Sequence, residues 1–329
     1  MSTSGNPVDR DTLIQPYQTA IGAVCEIAEA YYRLGKLEAA LGALQAGTLL
    51  LEHAPEQQVD QSRTKLLLQQ GKLLVTKGFY ANSKYEAAIS ALSQAQEMAS
   101  ASSDERSAAD ALQLLGQAYY NKALWSGEDS YERPLDYYQQ ALARREALKD
   151  QRGIAESVFY IGLIHERLQQ PGEAQNYYTK ALALAQEHNC QIEQSYALRH
   201  LAGIAQETGD LEQALALFSE SLALREAAGY KILLPLSHLA IGDVLLAQRD
   251  LPQAIEHYRA AYAISQEMDT PVARIFSLLS LGSQSQQQQE LAQARLYFEQ
   301  ALSSAQEIAF PLGITEASRA LEEIARQKP

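Results

Sequence analysis

From Gln191 to Tyr230 the chain reads QIEQSYALRHLAGIAQETGDLEQALALFSESLALREAAGY, and its pattern returns forty residues later. Across Ala155 to Ala309 this period holds without a slip. Gly162, Ala202, Gly242 and Gly282 occupy one phase, and Ile161, Leu201, Ile241 and Leu281 stand just before them. Ala174, Ala214, Ala254 and Ala294 hold a second phase, Tyr178, Phe218, Tyr258 and Phe298 a third, and Ala181, Ser221, Ala261 and Ala301 a fourth. Self-similarity at a fixed period decides the fold before any local propensity does, because each unit must bury its apolar face against the next.

Each unit reads as two helices. In the quoted stretch a first helix, A, runs through Tyr196–Thr208, Gly209 ends it, and Asp210 opens a second, B. Glycine suits the left-handed residue after a helix. Asp210 with Gln213, and Asp250 with Gln253, have the spacing of a capping box. Leu211, Ala214, Leu215, Leu217, Phe218 and Leu222 recur at three- and four-residue steps, as on an amphipathic helix. A glycine inside helix A costs up to about 1 kcal/mol of propensity, which makes sense if helix B packs on that spot.

Gly162, Ala174, Tyr178 and Ala181 have the identities and internal spacing of the tetratricopeptide repeat, which the chain resembles over nearly its whole length. The common form of that repeat has 34 residues; the longer unit here is similar to the variant of kinesin light chains, G-protein-regulator scaffolds and many bacterial regulators. The resemblance implies an all-α, right-handed α-solenoid of about seven helix pairs with a C-terminal capping helix, wound into about one superhelical turn. The fold serves many tasks, so the resemblance is specific for architecture and weak for function.

Working outward gives the expected domain map. Residues 1–11 read as a disordered tail and 12–314 as the solenoid, with repeats at about 13–54, 60–103, 106–152, 153–192, 193–232, 233–272 and 273–312. The first repeat places Ala28 at the small position and Gly35 at the end of helix A. In the second, Gly71 to Ala88 spans 17 residues against 12 in the regular block, and Ser83 with Glu86 forms another capping box; in the third, Gly116 to Pro134 spans 18. Both insertions are expected as loops between helices A and B, at Gly78–Lys84 and Trp125–Tyr131. Residues 313–329, with Thr315 to Gln327 helical, read as a solubilising cap, since Glu322 and Glu323 stand where helix B would pack.

Composition narrows the function. Of 329 residues 47% are apolar, and the formal net charge is −13. That balance argues against a nucleic-acid backbone or an anionic membrane surface as principal partner. Cys25 and Cys190 show no metal or redox spacing and fit a cytoplasmic protein, and no stretch approaches the length of a membrane span. The six histidines lack paired metal spacing, and no phosphate loop or nucleophile elbow is present. The expectation is a non-enzyme without cofactor or metal.

In the resembling family, helix A lines the inner groove. Carried over by the small-residue register, this implies Asp110, Gln113, Gln117, Tyr120 and Asn121 in the third repeat and Glu156, Phe159, Leu163, Glu166 and Arg167 in the fourth. The fifth gives Tyr196, Arg199 and Gly203, the sixth Leu236 and Leu239, and the seventh Phe276 and Leu279. The middle zone is polar, suited to a peptide backbone or a carboxylate. The C-terminal zone is apolar, and has two readings: a groove for an amphipathic helix, or a face buried by a tightly wound superhelix. A chaperone-tail clamp would need Lys and Asn where this chain has Cys25 and Glu29. The insertions are expected to bring Phe79, Tyr80, Trp125 and Tyr131 together on one edge, as a second candidate site or as staples for their own loops. The function implied is a protein- or peptide-binding scaffold or adaptor, its partner a basic or amphipathic segment. The alternatives are a peptide-responsive bacterial regulator, or a peripheral assembly factor for a membrane complex. The short stretch Met1–Asp11, with no room for an effector domain, favours the adaptor.

Overall fold

A computed structural model describes residues 13–54, 59–81, 85–126 and 130–326. The expected tail at 1–11, the Ser83 half of the capping box and residues 127–129 of the second insertion lie outside these. The described residues form fifteen α-helices and a 3-10 turn at Lys231–Leu233, without strands. The helices pair as α1 (Ile14–Arg33) with α2 (Leu37–Glu52), α3 (Asp60–Ala81) with α4 (Glu86–Ala101), and α5 (Glu105–Ser126) with α6 (Glu132–Leu148). Then come α7 (Gln151–Arg167) with α8 (Pro171–Glu187), α9 (Gln191–Glu207) with α10 (Leu211–Ala227), α11 (Leu234–Ala247) with α12 (Leu251–Gln266) and α13 (Pro271–Gln287) with α14 (Leu291–Glu307). A last helix, α15 (Pro311–Arg326), has no partner, and Glu322 and Glu323 are exposed on it. It begins four residues before the expected Thr315.

The repeat phases are packing contacts. A Cβ on Gly162, Gly242 or Gly282 would meet the ring of Tyr178, Tyr258 or Phe298 at 2.8, 2.6 and 2.6 Å. These rings are at most 1% exposed, and each is the large member of a knob seated on a bare patch of helix A. Gly116 does the same for Tyr138, and Gly71 for Leu92. Asp210 and Asp250 cap α10 and α12, accepting from the N–H groups of Gln213 and Gln253 at 3.0 and 3.2 Å.

The helix ends also keep time. Lys149, Gln169, Asn189, Gly209, Gly229, Arg249, Gln289 and Ala309, mostly twenty residues apart, all have positive φ. At each, the next residue's N–H bonds back to the last helical turn, as Cys190 N–H does to the Ala185 carbonyl at 2.8 Å. Asp269 is the missing member of this series, and there the solenoid closes on itself. Its N–H donates to the Gly35 carbonyl at 2.9 Å, and its carboxylate accepts from the Glu38 N–H at the start of α2. Lys36 Nζ donates to the Glu267 carbonyl. Gly35, at φ +72°, is bare because Met268 sits where a Cβ would be. Tyr230 adds an edge contact with Tyr32 at 6.2 Å and donates to Glu29 at 3.1 Å. The first core cluster accordingly combines Ile21, Leu37 and Leu44 with Tyr230, Ile232 and Met268.

The insertions differ from the expected loops. α3 and α5 have 22 residues each, against 17 in α7, α9 and α13, so the described part of the extra sequence continues helix A. Helical residues keep their backbone groups bonded, which a loop inside a crowded superhelix does not. The lengthened ends reach across the turn. The Trp125 ring meets Phe310, at the start of α15, at 4.9 Å; Phe79 packs against the first core cluster, which includes Tyr80.

Candidate functional site

Helix-A faces of α3, α5, α7 and α9 surround a lumen with two adjoining cavities, of about 730 and 350 Å³, that share Tyr32, Thr76, Gln117, Tyr160 and Tyr196 in their walls. Of the residues expected on the groove, Gln113, Gln117 and Tyr196 line the larger cavity. Tyr120, Asn121, Phe159, Arg167, Arg199 and Leu236 line the smaller, together with Tyr80 from the supposed edge.

Several of these side chains are committed to the fold. Gln113 is 1% exposed and accepts from Arg145 and Ser157. Phe159 is buried and rings itself with Tyr160, Tyr178 and Tyr196. Arg167 donates to the Tyr120 hydroxyl at 3.0 Å. Leu239 is buried in the core of α11 and α12 and Phe276 packs on Phe310, whereas Leu236 lines the smaller cavity, so the apolar C-terminal zone is covered only in part. The edge cluster is also corrected. Tyr80 is buried among first-repeat residues, Trp125 joins α15, and Tyr131 lies against Tyr120 at 5.8 Å. Phe79 and Tyr80 stay together, their rings 5.0 Å apart, while Trp125 and Tyr131 go to separate contacts because the lengthened helices point across the turn.

The two cavities differ in charge. The larger carries Lys65, Lys72, Arg106 and Arg145 beside Asp104, Asp110 and Glu156. The smaller has Arg167, Arg199 and Arg225 with His200, and no carboxylate among its described lining residues. Arg225, on α10, is 2% exposed; its Nε and Nη1 donate to Ser195 and Ser237 at 3.2 and 2.7 Å, and its guanidinium lies over the Tyr196 ring at 5.6 Å. Burial, and then the charge of Arg199, pull its pKa down to about 10. Arg199 is lowered too, by burial. The acid that acts on it, Glu166, is taken up by Tyr178 at 2.6 Å, His200 at 3.0 Å and Arg167 at 3.6 Å. Arg225 was absent from the groove register because it belongs to a helix B. Its signal was nonetheless present: it shares a phase with Ala185, Ser265 and Ala305, where Arg145 is the one other charge.

Among the described residues no helix is long and apolar enough to cross a membrane, and no group of His, Cys, Asp and Glu is arranged to hold a metal ion. What the fold and lumen define is an α-solenoid whose turn closes around a lumen of mixed polar and apolar lining. Residues 155–188 and 193–267 match the tetratricopeptide repeat family, so this part of the chain is built of such repeats. No curated protein sequence matches it. Among solved structures it is similar to a Rap protein complexed with competence and sporulation factor (14% identity, 93% of this chain and 85% of that one, TM-score 0.64). It is also similar to NprR in complex with its cognate peptide NprX (12%, 98% and 88%, TM-score 0.63). A third is the Rap conjugation gene regulator of the plasmid pLS20 in complex with the Phr* peptide (14%, 93% and 96%, TM-score 0.59). At these identities the likeness establishes the fold.

Proposed function

We propose that this protein is a non-catalytic scaffold that holds a short peptide segment within its lumen. The observation that carries the reading is the closed turn. Contacts from Gly35 to Asp269 and from Trp125 to Phe310 close the turn around a lumen that stays partly open, walled by amides, phenols, guanidinium groups and apolar side chains. Such a wall suits backbone recognition of an extended segment. That two proteins of this fold were solved with peptides supports the same reading. A lumen inside one closed turn fits a peptide-responsive protein better than an adaptor that grips a long partner helix. Of the two partner characters, basic or amphipathic, the lining favours the amphipathic, since Phe79, Leu163 and Leu236 face the same space as the arginines. Two free cysteines, Cys25 and Cys190, are consistent with a cytoplasmic setting.

The test is a thermal shift with the low-molecular-weight fraction of native cell extract. A binder stabilises the folded state in proportion to its saturation. The reading predicts a raised unfolding midpoint that protease treatment of the fraction removes. No shift, or one indifferent to protease, rules it out.

A further inference from the structure

Arg145 and Arg225 stand two repeats apart at one phase of the forty-residue period, and both are buried, at 3% and 2% exposure. Around Arg145 the flanking A helices supply partners for both terminal nitrogens, while its buried Nε has none among the described residues. Its Nη1 donates to Gln113, Ser157 and the Gly153 carbonyl, and its Nη2 to Asp110 and Glu156, each at 3.0 Å. Moving the side-chain partners to the later repeat, by 80 residues from α7 and by 86 from α5 because the third repeat carries a six-residue insertion, changes the chemistry. Ser157 becomes Ser237, which still holds Nη1. Glu156 becomes Leu236, Asp110 becomes Tyr196, and Gln113 becomes Arg199. Two carboxylates are gone and a second cation is added. Burying charge without a counter-ion is costly, and a chain with 40 acidic residues had carboxylates to spare.

We infer that Arg199 and Arg225 form an anion site that clamps a carboxylate of the bound peptide, borne by an acidic side chain or by its C-terminus. The inference rests on the peptide-binding reading above and names its ligand class. Arg225 Nη2 has no hydrogen bond among the described residues, and Arg199 has neither a hydrogen bond nor a carboxylate within ion-pair distance. The guanidinium fork matches a carboxylate in two parallel bonds. Phe79, Leu233 and Leu236 complete the wall, and an apolar wall strengthens such a pair.

The experiment exposes the full chain to two pools of short random peptides, one with free C-terminal carboxylates and one amidated, and reads the captured sequences by mass spectrometry. The expected result is enrichment of Asp or Glu in both pools, or capture confined to the free-acid pool; the first assigns a side-chain carboxylate and the second the C-terminus. Captured peptides should bind Arg199→Gln at least tenfold more weakly, a variant that installs the amide its sister site carries. Leu236→Glu, which restores the sister carboxylate, should abolish binding while raising the unfolding midpoint, a combination that misfolding does not produce. Capture indifferent to carboxylates, or unchanged in Leu236→Glu, overturns this inference and leaves the peptide-binding reading standing. No capture by the wild-type chain overturns that reading, and this inference with it.

Discussion

Two buried arginines at the same phase of one repeat carry opposite instructions. Arg145 is surrounded by two carboxylates, an amide, a hydroxyl and a carbonyl, and these outweigh its burial to push its pKa up. Arg225 has two hydroxyls and a neighbouring cation, and its pKa is pushed down. The two arginines share a phase of the repeat, and although a 3-10 turn leads into α11 but not into α7, the difference in charge lies in the side chains that the flanking A helices present. Repetition gives every unit the same scaffold, and departures from the repeat are where chemistry enters. The first arginine ties α5, α6 and α7 together; the second is left for something that is not part of the chain.

The comparison can be broken from the Arg145 side. Glu156→Leu gives that arginine the neighbour that Arg225 has. It should cost about 2 kcal/mol in chemical denaturation, less than the ~3–5 kcal/mol of a fully buried pair, because the Glu156 side chain keeps 29% exposure. A loss well under this would mean that Asp110 alone neutralises the site.

A second prediction concerns the acid nearest Arg199. Burial alone would raise the Glu166 pKa, but hydrogen bonding to and the charge of His200, the Tyr178 hydroxyl and Arg167 bring it down to about 2. A carboxyl that is more acidic folded than unfolded stabilises the fold above its ordinary value of 4.5, and this contribution fades as pH falls toward about 2. Glu166→Gln should therefore flatten stability over that window in acid titrations, and a wild-type slope there would contradict the assignment.

The smallest effect is expected at Gly203, the counterpart of Gln117 on the lumen wall. An added Cβ there meets nothing within 4 Å. Gly203→Ala should raise stability by up to about 1 kcal/mol. The same change at Gly242, facing the Tyr258 ring, should lower it.

Much of this was legible in the residues. The small positions, the aromatic knobs, the Asp210 and Asp250 caps and the acidic face at Glu322 all follow from the period, because each describes contact between neighbours in sequence. The lengthened α3 and α5 were misread because a spacing count does not say whether added residues join a helix or leave it. Closure was hidden for a different reason. It depends on backbone groups at Gly35 and Asp269 and on Met268, which have no shared pattern and meet only once the per-repeat rotation has accumulated. The same winding sends Trp125 to Phe310, beside Phe276. The polar wall around Tyr120, Asn121 and Arg199 came from the repeat register, but its charge imbalance needed Arg225, which enters from the opposite helix of the pair.

The most direct measurement is the stability of Arg145→Met beside Arg225→Met, both without ligand. The account predicts that the first loses about 3 kcal/mol, as expected when two carboxylates are stranded beside the core. The second should unfold at or above the wild-type midpoint, because it sheds an uncompensated charge and leaves Ser195 and Ser237 bonded to the carbonyls of Ile192 and Leu233. Equal losses in the two variants would contradict it, and would make Arg225 a structural residue like its sister.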